Sequence, residues 1–320
     1  MRSVLLVGAG QLGSRYLQGL AKTTLDLRII VVEPSANATA LARERLLLVS
    51  SSNSAHKIEW NETIKAVSRT FPVDIAIVCT SAYGRVDLIA EVNRSLEPKY
   101  WILEKVLAQS TLDLGRIASI THQSAGAWVN TPRRAMSWYR GLKNQLKCSS
   151  PLKVVKSGAL WGLACNSIHF IDLVAWWTSE SLVSVDLSGL SQDWFVSKRS
   201  GFYEVTGDLI ATYSGGSVLT LRSDPRAQDD HLNVETSRGV VWAVDESTGV
   251  ASSTEGTEVL GQLEYQSVST PRLVTGILEH GSCELPTLEE SARMHVIFLD
   301  AMLKHWNDSR GLNDTHVPIT

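Results

Sequence analysis

The sequence is short of several things, and each shortage closes off a class of explanation. Among its 320 residues are only four cysteines, Cys79, Cys148, Cys165 and Cys283. No two form a C-x-x-C pair and no histidine stands at zinc-ligand spacing from any of them, so no metal site is expected. No disulfide framework is expected either, because a chain this long builds its own core; the thiols are read as reduced, in a cytoplasmic protein. No apolar run approaches the roughly 18–20 residues of a membrane span. The apolar start passes straight into glycines with no cleavage pattern, which is unlike a signal peptide. An excess of one charge sign is lacking as well: 30 Lys and Arg stand against 33 Asp and Glu, a formal charge of −3. That balance argues against nucleic acid or a membrane surface as partner. Proline is scarce at 9 residues, and a composition 44% hydrophobic and 20% charged excludes a disordered, collagenous or coiled-coil chain. There is no internal repeat.

What is present falls into two parts. The first alternates apolar runs with amphipathic stretches. Strands are expected at Val4 to Val7, Arg28 to Val32, Val73 to Cys79, Tyr100 to Leu103 and Ala127 to Val129. Their apolar character is nearly continuous, as in parallel strands covered on both faces. Helices are expected between them, at Leu12 to Lys22, Ala38 to Leu48, Glu62 to Arg69, Arg85 to Ser95 and Leu112 to His122. This is the pattern of a doubly wound α/β, Rossmann-type domain over residues 1–125. Residues 126–320 read as an α+β domain. Helices are expected at Ala135 to Lys147, Ile168 to Trp177 and Leu288 to Trp306. Strands are expected at Leu182 to Leu187, Tyr203 to Tyr213, Ser217 to Arg222, His231 to Thr236 and Gly239 to Val244, with hairpin signals at Ser214-Gly215-Gly216 and Ser237-Arg238-Gly239. Consecutive hairpins make a large, mostly antiparallel open sheet.

Gly8-Ala9-Gly10-Gln11-Leu12-Gly13 reads G-x-G-x-x-G between an expected strand and an expected helix, the context that gives the motif meaning. The glycines allow the turn, the approach of a pyrophosphate and close helix packing, and the helix start offers N–H groups to phosphate. Glu33 lies twenty residues after Gly13 at the end of the second strand, where an acid takes the ribose hydroxyls and repels a 2′-phosphate. NAD is therefore preferred, with NADP as the alternative. Thr80 and Ser81, after the third strand, belong beside the cofactor. Glu104 and Lys105 end the fourth strand there too, and Lys105 could stabilise an alkoxide. His169 and Asp172 share a face of a mostly apolar helix, where a buried charge is costly unless paired or functional.

GAGQLG, the strand-ending Glu104-Lys105, the later H-x-x-D and the closing LPTLEESARMHVIFLDAM together resemble the glucose-fructose oxidoreductase / inositol dehydrogenase / MocA (Gfo/Idh/MocA) family over nearly the whole chain. The resemblance implies a dinucleotide-binding domain, then a domain whose open sheet holds substrate and makes homodimer or homotetramer contacts. It also implies hydride transfer between NAD(P) and a secondary hydroxyl or ketone of a sugar, cyclitol or nucleotide-sugar. By the same resemblance Lys105 is the catalytic lysine, His169 the acid/base and Asp172 the carboxylate that binds or orients substrate. Two positions depart from the family. Val106 stands where the family often has Pro, and Cys165 followed by Asn166 stands where it often has Asp.

Asn130, Arg133 and Arg134 follow the expected domain boundary, where the family often places an Arg near substrate; the two Arg could engage a phosphate or carboxylate together, or be a surface pair. Asn166 offers an amide in place of the missing acid. Trp161 could stack a sugar, and eight of the ten Trp lie beyond residue 125. Two other functions stand as alternatives: a catalytically silent NAD(P)-binding regulator, which fits the missing Asp, and an NAD-assisted lyase or glycosidase.

Overall fold

Six short segments pair side by side as parallel strands, the central ones apolar and buried on both faces. The structure, a computed structural model, describes residues 1–49, 55–147 and 149–320; Cys148, read above as a reduced thiol, lies outside the described residues. The strands are β1 (Arg2–Val7), β2 (Leu27–Val32), β3 (Lys57–Asn61), β4 (Ile75–Val78), β5 (Tyr100–Glu104) and β6 (Gly126–Asn130), in the order β3-β2-β1-β4-β5-β6. Helices α1 (Gln11–Leu20), α2 (Ala36–Leu47), α3 (Arg85–Leu96) and α4 (Thr111–Thr121) connect them. This is the Rossmann-type sheet expected from the sequence. One expected helix is absent: across Glu62 to Arg69 only a single 3-10 turn forms, Ile64–Ala66. Thr63 and Val67 on either side are extended, and only Ile64 and Val67 turn inward, too few for a helical stripe. β3 was not expected, because KIEWN has no continuous apolar run; it is a half-exposed edge strand.

Further along lie α5 (Ser137–Gln145), β7 (Lys153–Gly158), α6 (Leu163–Thr178), β8 (Leu182–Leu190), β9 (Phe195–Val196) and β10 (Tyr203–Glu204). They are followed by β11 (Gly207–Tyr213), β12 (Val218–Ser223), β13 (His231–Glu235), β14 (Val241–Asp245), β15 (Val250–Ser253) and β16 (Glu258–Leu260). Eight of these strands form one sheet in the order β16-β15-β14-β13-β7-β12-β11-β8, antiparallel except where β7 meets β12. The single strand expected over Tyr203 to Tyr213 is two. β10 pairs with β9 in a small separate sheet, and β11 joins the large one. α6 begins five residues before the expected Ile168, because Glu204 caps it: its carboxylate accepts from the N–H of Ala164 at 2.8 Å and of Cys165 at 3.3 Å. Two long helices close the chain, α7 (Gln266–His280) and α8 (Leu288–Arg310).

The chain divides into two compact units. The first comprises residues 1–107, 113–130 and 264–289, the second 108–112, 131–263 and 290–320. Where the sequence suggested one crossing near residue 125, the chain returns to the first unit between 264 and 289. There α7 packs on α1, and the N–H of Val129 donates to the Pro286 carbonyl at 3.0 Å. α7 escaped the sequence reading because Pro271 sits inside it.

Candidate functional site

In the first unit the strands end level. Val7 pairs with Val32 on one side and Val78 on the other. Gly8, Glu33 and Cys79-Thr80-Ser81 therefore emerge together at the carboxyl edge of the sheet, where such sheets take ligands. Gly8 has φ +88°, and a Cβ on Gly13 would lie 1.9 Å from the Gly8 carbonyl oxygen, so both positions require glycine. Above Gly10 there is open space: a Cβ there meets nothing within 4 Å. Gly10 has no side chain with which to cap α1, so the first turn at Gln11, Leu12 and Gly13 keeps N–H groups for a ligand.

The Glu33 carboxylate accepts from the N–H of Ala9 at 2.7 Å and of Ser35 at 2.8 Å, which ties the acid to the glycine loop. A cavity of about 430 Å³ lies against Gly8, Glu33, Lys65 and Thr80. The Thr80 hydroxyl is buried there with no hydrogen-bond partner among the described residues. An orphan hydroxyl, open space over Gly10 and an acid at Glu33 fit an adenine dinucleotide. Ser81 is half-buried beside Thr80. Burial, with the negative charge of Glu104 nearby, pushes the Cys79 thiol well up, which keeps it unreactive.

Glu104 lies inside the unit, 4% exposed. It accepts from the Tyr16 hydroxyl at 2.9 Å and from Asn130 Nδ2 at 2.7 Å, across the β5–β6 register that pairs the two residues. The same Asn130 amide nitrogen reaches Gln266 on α7 at 2.9 Å. Burial pushes the Glu104 carboxyl up, opposed by those donors and by the Arg85 charge. Glu104 and Asn130 thus brace the end of β5 from within. Lys105, next in the chain, is half-exposed, and its peptide bond to Val106 is cis. The backbone around it is held by Arg85. That guanidinium donates to the carbonyls of Glu104 at 2.6 Å, Val106 at 2.5 Å and Leu107 at 3.2 Å, and to that of Thr80.

In the second unit the expected residues gather along α6 and the turn before α5. Asp172 is wholly buried and bound in two places by Arg134, Nε to Oδ2 at 3.0 Å and Nη2 to Oδ1 at 2.5 Å. Burial pushes the Asp172 carboxyl up against the pull of that guanidinium. Arg133 makes an equivalent fork to Glu246, at 2.8 and 3.1 Å, and lies 4.3 Å over the Phe170 ring. The Tyr139 hydroxyl joins the same Glu246 carboxylate. The two arginines therefore form no joint anion clamp; each is committed to its own carboxylate. His169 remains half-exposed on α6, one turn from Cys165 and Asn166 on the same face. Asn166 Nδ2 donates to the Trp161 carbonyl at 2.8 Å, and both residues line one cavity.

Four residues that sequence reasoning passed over belong to these surroundings. Arg85 was read only as a helix start, whereas the structure buries it at 1% exposed, against the backbone it clamps. Arg45, on α2, bonds Gln11 Oε1 at 2.6 Å and Ser14 Oγ at 2.7 Å, which brings a cation to the start of α1. Arg43 lies 4.6 Å over the Trp60 ring, and both line a second cavity against Glu33, of about 380 Å³. Lys156, on β7, contacts Asp230, and burial together with Arg133 lowers it to about 8.

The family model for ketopantoate reductase PanE/ApbA matches residues 4–104, from β1 to the end of β5. No curated protein matches the chain in sequence. Solved structures match it over nearly its whole length. UDP-N-acetylglucosamine 3-dehydrogenase GnnA from Acidithiobacillus ferrooxidans aligns with a TM-score of 0.70 at 15% identity, over 94% of this chain and 96% of that one. A myo-inositol dehydrogenase from Corynebacterium glutamicum aligns at 0.66 and 16%, over 96% and 97%. GenD2 from gentamicin A biosynthesis, in complex with NAD, aligns at 0.68 and 16%, over 97% and 95%. At these identities the likeness establishes the fold: the chain has that of known dehydrogenases, in both its parallel and its mostly antiparallel sheet. Among the described residues no helix is long and apolar enough to cross a membrane.

Proposed function

We propose that this protein is an NAD(P)-dependent oxidoreductase acting on a secondary hydroxyl, or the corresponding ketone, of a sugar, cyclitol or nucleotide-sugar, with NAD preferred. We infer further that it works in the cytoplasm as a homodimer or homotetramer paired through the large sheet. The observation that carries the reading is the cradle at the carboxyl edge of the first sheet, where an open glycine loop is tied to Glu33 beside the orphan hydroxyl of Thr80. Gly8, Gly10, Gln11, Leu12, Gly13, Glu33, Thr80 and Ser81 would hold the dinucleotide. When bound, its nicotinamide supplies a carbon that accepts or gives a hydride. Glu33 favours two free ribose hydroxyls over a 2′-phosphate.

In this reading His169 takes the hydroxyl proton as general base. Lys105 steadies the developing alkoxide with its charge. Glu104, Asn130 and Arg85 are positioning residues: they fix the backbone that carries Lys105. Arg134 and Asp172 do the same for α6 and His169, since their charges satisfy each other. Arg133 positions Phe170 next to it.

The test is NADH formation from a panel of sugars, cyclitols and nucleotide-sugars. Lys105→Ala and His169→Ala should each lower kcat by about 100-fold or more while cofactor binding persists. Equal turnover by the wild type and both variants overturns the roles. Cofactor binding with no turnover of any panel member by the wild type points to the silent regulator instead.

A further inference from the structure

We propose that the cavity lined by Trp161 and Asn166 is a subsite for a planar ring carried by the substrate, joined to the sugar that His169 acts on. The ring is an aryl aglycone or a nucleobase. The proposal deepens the oxidoreductase reading and rests on it for the identity of the sugar end.

The cavity holds about 360 Å³, enough for a ring system. Trp161, Phe195, Phe202 and Tyr203 wall it, with Cys165 and Asn166 at the α6 side. Phe195 is 39% exposed and Val196 62%, on a two-stranded excursion that belongs to no larger sheet. That much apolar surface has a cost unless something covers it. Several polar groups of the α6 wall are already used internally. The Trp161 indole N–H donates to the Arg222 carbonyl at 2.8 Å, and its ring meets Phe170 edge-on with centroids 5.6 Å apart. Asn166 Nδ2 is held by the Trp161 carbonyl, and the Glu204 carboxylate by the first N–H groups of α6. What the wall then offers a ligand is largely aromatic faces, with the Lys198 and Arg199 cations at the rim.

A bare monosaccharide would leave most of the aromatic wall uncovered. A flat ring would stack against it. His169 follows Asn166 by three residues and Cys165 by four, so it lies on the helical face that the cavity touches. A ligand with its ring in the cavity continues along α6 toward His169. Lys198 and Arg199, exposed at the rim, suit an anionic linker such as a diphosphate.

Calorimetric titration of the full chain with methyl β-glucoside, 4-nitrophenyl β-glucoside and UDP-glucose reads this binding without needing hydride transfer. At least one ring-bearing probe should bind ten times more tightly than methyl glucoside. Phe195→Ala should weaken that probe by about tenfold, and Phe195→Tyr, which keeps a ring face, should restore it. Preference for UDP-glucose that falls on Lys198→Ala/Arg199→Ala names the nucleobase source; preference for the nitrophenyl glucoside that does not fall names the aryl source. Equal affinity for all three probes, no binding of either ring-bearing probe, or an unchanged Kd in Phe195→Ala overturns the subsite. Ring-dependent binding without NADH formation leaves the subsite standing and sinks the oxidoreductase reading. NADH formed equally from methyl glucoside and both ring-bearing probes, by wild type and Phe195→Ala alike, does the opposite.

Discussion

Glu104 shows how much of the first unit's chemistry is internal. Its carboxylate touches a tyrosine, an asparagine and no solvent to speak of, so its charge state is tied to folding. Burial raises its folded value above the ordinary Glu value of about 4.3. A raised carboxyl favours the folded state most when protonated, below the unfolded value, and that contribution is lost as pH rises through the folded value. Glu104→Gln stays neutral throughout. The stability of the variant relative to wild type should therefore improve as pH rises from the unfolded value through the folded one, and level off above it. Urea unfolding across that range measures it, and a pH-independent difference would show that Glu104 has no raised value. At this scale the sequence was partly legible. Glu104, Lys105, His169 and Asp172 could be singled out from their places at strand ends and on a helix face. What could not be seen was partnership: nothing in the spacing says that Arg134 closes on Asp172, or that Arg133 turns instead to Glu246, more than a hundred residues away.

Elements were legible in proportion to how apolar they are. β1, β2, β4 and β5 are buried on both faces and announce themselves; β3 and β7, with Lys and Glu or Ser among their residues, do not. α7 was hidden by its internal Pro271. The glycine loop was legible because its glycines do geometric work, and that work differs between positions. Gly13→Ala would push a methyl into the Gly8 carbonyl and force α1 off β1, with an expected loss of about 1–3 kcal/mol. Gly10→Ala meets open space at φ −64°, so it should fold with wild-type stability to within about 1 kcal/mol. It should nonetheless bind NAD at least tenfold more weakly, because the methyl stands where the ligand comes close. Thermal melts paired with NAD titration separate the two; wild-type NAD affinity in Gly10→Ala would mean that the loop is an ordinary turn.

For the molecule as a whole, the proposed pairing of copies through the eight-stranded sheet has an exposed apolar footing. Val183 on β8 is 58% exposed and Ile210 on the adjacent β11 36%. Sedimentation equilibrium should give at least twice the chain mass, and Val183→Lys/Ile210→Lys should shift it toward one chain; a monomeric wild type rules the pairing out. The two-part layout was readable from the change in strand pattern near residue 125, but the return of residues 264–289 to the first unit was not. That return sets an order of events during protein synthesis. A ribosome delivers the amino end first, yet the unit that starts there lacks the whole of the helix packed on α1 until 280 residues have been made. The strands between 131 and 263 are all available earlier. Translation therefore presents the parallel-sheet half first and lets it close last, so a nascent chain stalled before residue 264 would expose the uncovered side of α1 to chaperones.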